Sequence, residues 1–148
     1  MSTFTTGHVG LGVTDLDRSL PFYRRVFGFE TIAEGRDESR RWAFLGRDGD
    51  LVLTLWQQSA AAYDPASAGL HHLAFQVGSL DDVRATEAVL RDLGANLLHD
   101  GVVAHSEGAA SGGIFFTDPD GVRLEVYAAT GAEGAPAPAG EAPTCGFF

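Results

Sequence analysis

Two stretches of the chain carry the same pattern, and an internal repeat limits the fold more tightly than any composition does. Residues 8–28, HVGLGVTDLDRSLPFYRRVFG, read as a strand, an acidic helix cap, an amphipathic helix and a closing glycine. Residues 72–94, HLAFQVGSLDDVRATEAVLRDLG, read the same way. In the first copy Asp15 or Asp17 caps the helix, Pro21 falls in the first turn, Leu20, Tyr23 and Phe27 recur at helical spacing, and Gly28 suits a left-handed stop. In the second copy Ser79 or Asp81 caps, Val83, Leu90 and Leu93 form the apolar stripe, and Gly94 stops the helix. The later halves match too: RDGDLVLTLW (47–56) and DPDGVRLEVY (118–127) are each a turn rich in Asp and Gly leading into an alternating strand. Further strands are expected around 30–33, 41–45, 95–98 and 113–117. Each copy is then strand, helix and three strands. The expected fold is α+β, with two tandem βαβββ modules (about 4–57 and 70–128) in a single domain over residues 1–128, joined through QQSAAAYDPASAG (57–69).

The repeat pairs particular residues. His8 and His72 open matching strands, and Thr54 is the counterpart of Glu125. Side chains alternate along a strand, so His8 shares a face with Gly10 and Gly12, and His72 with Ala74 and Gln76. Thr54 goes with Val52 and Trp56, and Glu125 with Arg123 and Tyr127. These faces are mixed, with small residues beside the histidines, as a cavity wall would be; the opposite faces are apolar. A pseudo-twofold between the copies would bring positions 8, 54, 72 and 125 together. Three of the four, His8, His72 and Glu125, are metal-ligand types, the facial set that suits Fe(II), Mn(II) and related divalent ions and leaves sites open. Thr54, Trp56, Gln76, Arg123 and Tyr127 are the expected substrate-pocket residues. His71 points to the other face, as a cap, a surface group or a support for His72.

Composition narrows the partners. Twenty acidic residues face ten arginines and no lysine, a formal charge of −10, which repels nucleic acid and anionic lipid. No apolar run approaches the roughly 20 residues of a membrane helix, and the start MSTFTTGHVG lacks the features of a secretory signal. A soluble cytoplasmic protein acting on a small molecule is expected. Cys145 is the single cysteine, so a metal site must be built from His and carboxylate.

HVGLGVTDLDRSLPFYRRVFGFE, GLHHLAFQV and DPDGVRLEVY together resemble the vicinal oxygen chelate superfamily, the glyoxalase, bleomycin-resistance and extradiol dioxygenase fold, over residues 4–128. The resemblance implies paired βαβββ modules whose mixed sheets curl around a metal or ligand, with the family's ligand positions falling on His8, His72 and Glu125. The family's fourth position, often Glu or Gln, falls on Thr54, a poor ligand, which makes glyoxalase-like lyase or isomerase chemistry the lesser expectation. A dioxygenase-like enzyme holding Fe(II), with Mn(II), Ni(II), Co(II) or Zn(II) as alternatives, is favoured. There His105, in the loop GVVAHSEGAASGG (101–113), is the expected base for the substrate hydroxyl. The chain departs from extradiol enzymes in having Phe115 and Phe116 where they usually place a tyrosine, and two modules where many have four. A drug-binding protein without chemistry is the alternative from another class, its aromatic walls drawn from Trp42, Trp56, Tyr63 and Tyr127. Two-module members of this family commonly pair, so a homodimer is expected.

After Ala128 the chain turns to ATGAEGAPAPAGEAP and ends in TCGFF, an apolar finish to a tail spanning 129–148. As a lid, this tail would bring Phe147 and Phe148 over the cavity and Cys145 near it; as plain packing it would do nothing there.

Overall fold

The computed structural model describes residues 1–138 and 143–148, the side chain of Phe147 excepted. The chain divides within the expected join into two units, Met1–Tyr63 and Asp64–Phe148.

In the first unit β1 (Val9–Val13) runs into α1 (Leu16–Phe27), followed by β2 (Glu30–Arg36), β3 (Arg41–Arg47) and β4 (Asp50–Gln57), in the sheet order β1-β4-β3-β2. The strand β1 lies parallel to β4, the partner a crossover helix delivers it to, and the rest of the sheet is antiparallel. Of the two candidate caps Asp15 is used, its carboxylate accepting from the Asp17 N–H at 3.0 Å. Gly28 ends the helix at φ 67°, a left-handed conformation that glycine adopts without strain. Pro21 does not sit in the first turn; it is inside the helix, on the exposed side, where water can reach the carbonyl its missing N–H leaves free. The buried stripe also differs from the expected one, being Leu16, Ser19, Phe22, Tyr23 and Val26, with Leu20 and Phe27 half-buried. Both stripes have helical spacing and share Tyr23, so periodicity alone does not choose between them. Asp48 and Gly49, both at positive φ (52° and 84°), form the two-residue turn that joins β3 to β4.

The second unit repeats the plan. Its strands are β5 (Leu73–Val77), β6 (Val103–Ala104), β7 (Gly112–Thr117) and β8 (Arg123–Ala128), with α2 (Leu80–Asp92) after β5, in the sheet order β5-β8-β7-β6. Ser79 caps α2 by accepting from the Asp82 N–H at 3.2 Å. The strand expected at 95–98 is reduced to one bridge, Leu97 to Phe116, flanked by bonds from the Leu98 N–H to Phe115 O and the Thr117 N–H to Asn96 O. Regular pairing on that edge passes to β6 because the chain turns away at His99–Gly101, with Gly101 at φ 88°. Ahead of β8, Asp118 is only 4% exposed and its Oδ1 accepts from the N–H groups of Asp120 (2.8 Å) and Val122 (2.9 Å), which closes the turn that sets the strand's start.

Each unit buries one sheet face against its own helix. Leu11, Val13, Leu45, Leu53 and Leu55 are buried in the first unit, where β3 and β4 contact α1, and Ile114, Phe116, Leu124 and Val126 are buried in the second, where β7 and β8 contact α2 with its buried Val83 and Leu90. Burial of each such side chain is worth about 1.5–3 kcal/mol, so these faces are fixed and the opposite ones are free to carry chemistry. The sheets are not closed. No helix among the described residues is long and apolar enough to cross a membrane.

Candidate active site

Register places the chemistry-bearing residues. In the second unit Ala74, Glu125 and Phe115 stand side by side across β5, β8 and β7, and the next row on that face is Gln76, Tyr127 and Gly113. In the first unit the corresponding rows are Gly10, Thr54 and Phe44, then Gly12, Trp56 and Trp42. Thr54 and Glu125 therefore hold the same station in their modules. His8 and His72 each directly precede the opening strand.

Glu125 is the centre of the second unit's site. It is 3% exposed, an unusual place for a carboxylate, and two imidazoles meet it. Its Oε1 is hydrogen-bonded to His105 Nε2, and its Oε2 lies 3.6 Å from His72 Nε2. The other ring nitrogen of His105 lies 2.8 Å from Ser111 Oγ, and its ring centroid 5.3 Å from that of Tyr127. His72 is backed by His71, with the two Nδ1 atoms 2.8 Å apart, and His71 Nε2 stands 3.5 Å from an Arg123 guanidinium nitrogen. Burial holds the His72 pKa below the ordinary imidazole value; the attraction of Glu125 opposes this, while the charges of His71 and Arg123 add to it. One row along, the Tyr127 hydroxyl donates to Gln76 Oε1 at 3.3 Å.

The tail belongs to this same unit. Thr144, 2% exposed, donates from its backbone N–H to the carbonyl of His105 (2.9 Å) and from its hydroxyl to the carbonyl of Ala104 (2.5 Å). Phe148 reaches the cluster, its ring 5.3 Å from that of His72 and 5.1 Å from that of Phe115, with the Arg123 guanidinium 5.5 Å over it. Cys145 is a half-buried free thiol, and the side chain of Phe147 lies outside the described residues.

The first unit's mixed face is aromatic. Trp42, Phe44 and Trp56 pack with centroids 4.9–6.1 Å apart, and the Arg40 guanidinium stands 5.9 Å above Trp56. Thr54 Oγ1 accepts from the Trp56 indole N–H at 3.0 Å. A Cβ on Gly10 would stand 3.0 Å from that hydroxyl oxygen, a tight contact, and one on Gly35 would strike the Trp42 ring at 2.4 Å, so glycine leaves the ring its room there. His8 is exposed.

Of the residues singled out from sequence, the structure gathers His72, Glu125, His105, Arg123 and Phe148 into one cluster, with Tyr127 against His105 and Gln76 bonded to Tyr127; His8, Thr54 and Trp56 lie in the first unit. No group of three or more His, Cys, Asp or Glu among the described residues is arranged to hold a metal ion. Within the second unit, His105 takes one oxygen of Glu125 and leaves the other facing His72. Sequence reasoning missed two neighbours. Phe115 is legible once β7 is paired in register with β8, whereas Ser111 sits in a loop with no periodicity to mark it.

Residues 5–126 match the family described as the Glyoxalase/Bleomycin resistance protein/Dioxygenase superfamily, and the chain belongs to it. It is similar to catechol-2,3-dioxygenase of Bacillus subtilis (31% identical over 126 residues, 82% of this chain), although the match spans only 40% of that enzyme's length. It is also similar to a probable lactoylglutathione lyase of Vibrio cholerae, 30% identical over 136 residues, with 85% of this chain and 91% of that one covered. Among solved structures, a glyoxylase/bleomycin resistance protein/dioxygenase domain from Frankia sp. EAN1pec superposes with a TM-score of 0.76 at 27% identity, over 86% of this chain and 99% of that one. The fosfomycin resistance protein FosX from Listeria monocytogenes, solved with Mn(II), shares the fold at 21% identity and a TM-score of 0.62, over 84% of this chain and 92% of that one.

Proposed function

We propose that this chain is a divalent-metal-dependent enzyme acting on a small molecule with vicinal oxygens, by dioxygenase-like chemistry, and that His72 and Glu125 of the second module with His8 of a first module hold the metal. The observation that carries the reading is the buried Glu125 carboxylate with His72 Nε2 facing its free oxygen at 3.6 Å. Donors on one ion at ~2.1 Å each stand at most about 4.2 Å apart, so this pair fits a single divalent ion. To offer Nε2 as a ligand, His72 carries its proton on Nδ1, and His71 Nδ1 at 2.8 Å is in place to accept it. Thr54 argues for three protein ligands over four, because its hydroxyl oxygen already accepts the Trp56 N–H in a buried position. That favours the dioxygenase-like reading above the lyase, and Fe(II) first among Fe(II), Mn(II), Ni(II), Co(II) and Zn(II). When bound, the ion would chelate the two substrate oxygens and act as a Lewis acid.

The protein's own groups handle the proton. With Nε2–H donated to Glu125, His105 has its lone pair on Nδ1, and the Ser111 hydroxyl beside it is the route by which a substrate proton reaches that nitrogen. Arg123, Gln76 and Tyr127 border the same face of β8 and β5 and position the substrate; Trp56 does so on the first module's sheet. The chain works as a homodimer in the cytoplasm.

Metal content after anaerobic purification tests the reading. Near-stoichiometric Fe(II) or Mn(II) in the wild type, lost in His72→Ala and in Glu125→Ala, is the expected result, together with oxygen uptake on catechols. His105→Gln should keep its metal and lose about 10²–10⁴-fold in rate. A wild-type protein that neither carries nor takes up a divalent ion removes the enzyme reading.

A further inference from the structure

The strand β6 is two residues long, and it ends the sheet order β5-β8-β7-β6, so its outer backbone groups need partners from elsewhere. Residues that follow β8 supply them. The Ala104 N–H donates to Pro136 O at 2.8 Å, and the Ala104 carbonyl accepts from the Thr144 hydroxyl at 2.5 Å. The Thr144 N–H donates to the carbonyl of His105, and the Ala132 N–H to that of Ala110, each at 2.9 Å. Thr144, Ala132 and Ala104 are all buried. Gly112 allows the close approach, since a Cβ there would stand 2.7 Å from the Ala132 methyl carbon and 2.5 Å from the Val103 carbonyl oxygen.

These contacts bear on His105. Its backbone N–H donates to Ser111 O at 3.0 Å and its ring Nδ1 lies 2.8 Å from Ser111 Oγ, so both of those partners ride on the loop that carries it. The bonds to Pro136 and from Thr144 act from outside that loop. They fix where its first residues lie on the sheet, and so where the imidazole meets the Glu125 carboxylate. Ala132, Pro136 and Thr144 all lie beyond residue 126, where the match to the family ends, so this support is not part of what defines the family.

We infer that Ala132, Pro136 and Thr144 brace the loop from His105 to Ser111, and that Thr144 is a positioning residue that sets the His105 ring on Glu125. For its effect on rate this rests on the reading of His105 as the group that handles the substrate proton; the placement of the ring is a property of the protein without any reaction. The Thr144 hydroxyl is the part that substitution can remove. Valine keeps the branched shape and the backbone N–H, and leaves the buried Ala104 carbonyl without its side-chain donor. Serine keeps the donor.

The test compares wild type, Thr144→Val and Thr144→Ser as full-length chains. In the metal-free protein with 15N-labelled histidine, at one fixed pH, the His105 Nε2–H bonded to Glu125 should give a downfield ring-proton signal in the wild type. Thr144→Val should weaken or split that signal, and Thr144→Ser should restore it. In oxygen uptake on catechol, Thr144→Val should lower kcat about three- to tenfold, the shift one hydrogen bond between neutral groups gives an equilibrium, with KM unchanged. Thr144→Ser should again recover. A His105 signal unchanged in Thr144→Val overturns the proposal even if Tm falls, because the residue then only stabilises the fold. Valine and serine variants that behave alike overturn the role of the hydroxyl, and a wild type without the ring-proton signal removes the contact that the brace is said to set, and the proposal with it. The two readings fail separately. A signal lost in Thr144→Val and regained in Thr144→Ser, in a protein that consumes no oxygen, keeps the brace and removes the dioxygenase-like reading; a rate lost in His105→Gln but intact in Thr144→Val keeps that reading and removes the brace.

Discussion

Replacing His105 with alanine tests how the site holds together. The imidazole bridges Ser111 Oγ, at 2.8 Å, and Glu125 Oε1, and its removal strips a hydrogen bond from a carboxylate whose side chain is 4% exposed. A hydrogen bond to a charged group is worth about 1.5–3 kcal/mol, and one between neutral groups about 0.5–1.5. Water admitted to the space vacated by the ring returns part of this, so the substitution should cost about 2–4 kcal/mol in urea denaturation. In a chain near 150 residues each kcal/mol moves Tm by roughly 2–4 °C, giving a fall of about 5–15 °C. The decisive number is the coupling. In a double-mutant cycle of His105→Ala with Glu125→Ala, the pair should show an interaction energy of about 1–3 kcal/mol, because the second change removes the group that the first leaves unpaired. Additivity within about 0.5 kcal/mol would refute the reasoning, whatever the single mutants cost.

Two further outcomes follow from the same geometry. In the metal-free protein the His72 ring should titrate below its ordinary value of 6.5, as read by NMR; the unfolded chain then binds more protons than the folded one in that window, so stability falls as pH drops below the unfolded value towards the folded one, and a midpoint at or above 6.5 contradicts the burial argument. Asp118→Ala should destabilise by about 2–4 kcal/mol in urea denaturation, since it leaves the N–H groups of Asp120 and Val122 without their charged acceptor at the entrance to β8, and a change under about 0.5 kcal/mol would show that the turn closes without it.

By itself the sequence determined the modules and the faces. A strand has a period of two, so once the repeat aligned LTLW with LEVY, Thr54 and Glu125 were bound to share a station, and the observed registers Gly10 to Thr54 and Ala74 to Glu125 follow from that local pattern. The caps Asp15 and Ser79 and the left-handed Gly28 were legible for the same reason, since each acts within one helical turn. Tertiary structure decided what local periodicity leaves open. Pro21 lies inside α1 because solvent tolerates the lost bond on its exposed face, and the pairing expected at 95–98 moves largely to Val103–Ala104 because a turn at Gly101 interrupts the run. Most of the site's chemistry is of this second kind. His105 and Phe148 come from a loop and from the segment after β8, where nothing repeats. Their approach to Glu125 and His72 depends on hydrogen bonds spanning 20 to 40 residues, from His105 to Glu125 and from Thr144 to Ala104, which exist only once the sheet has formed.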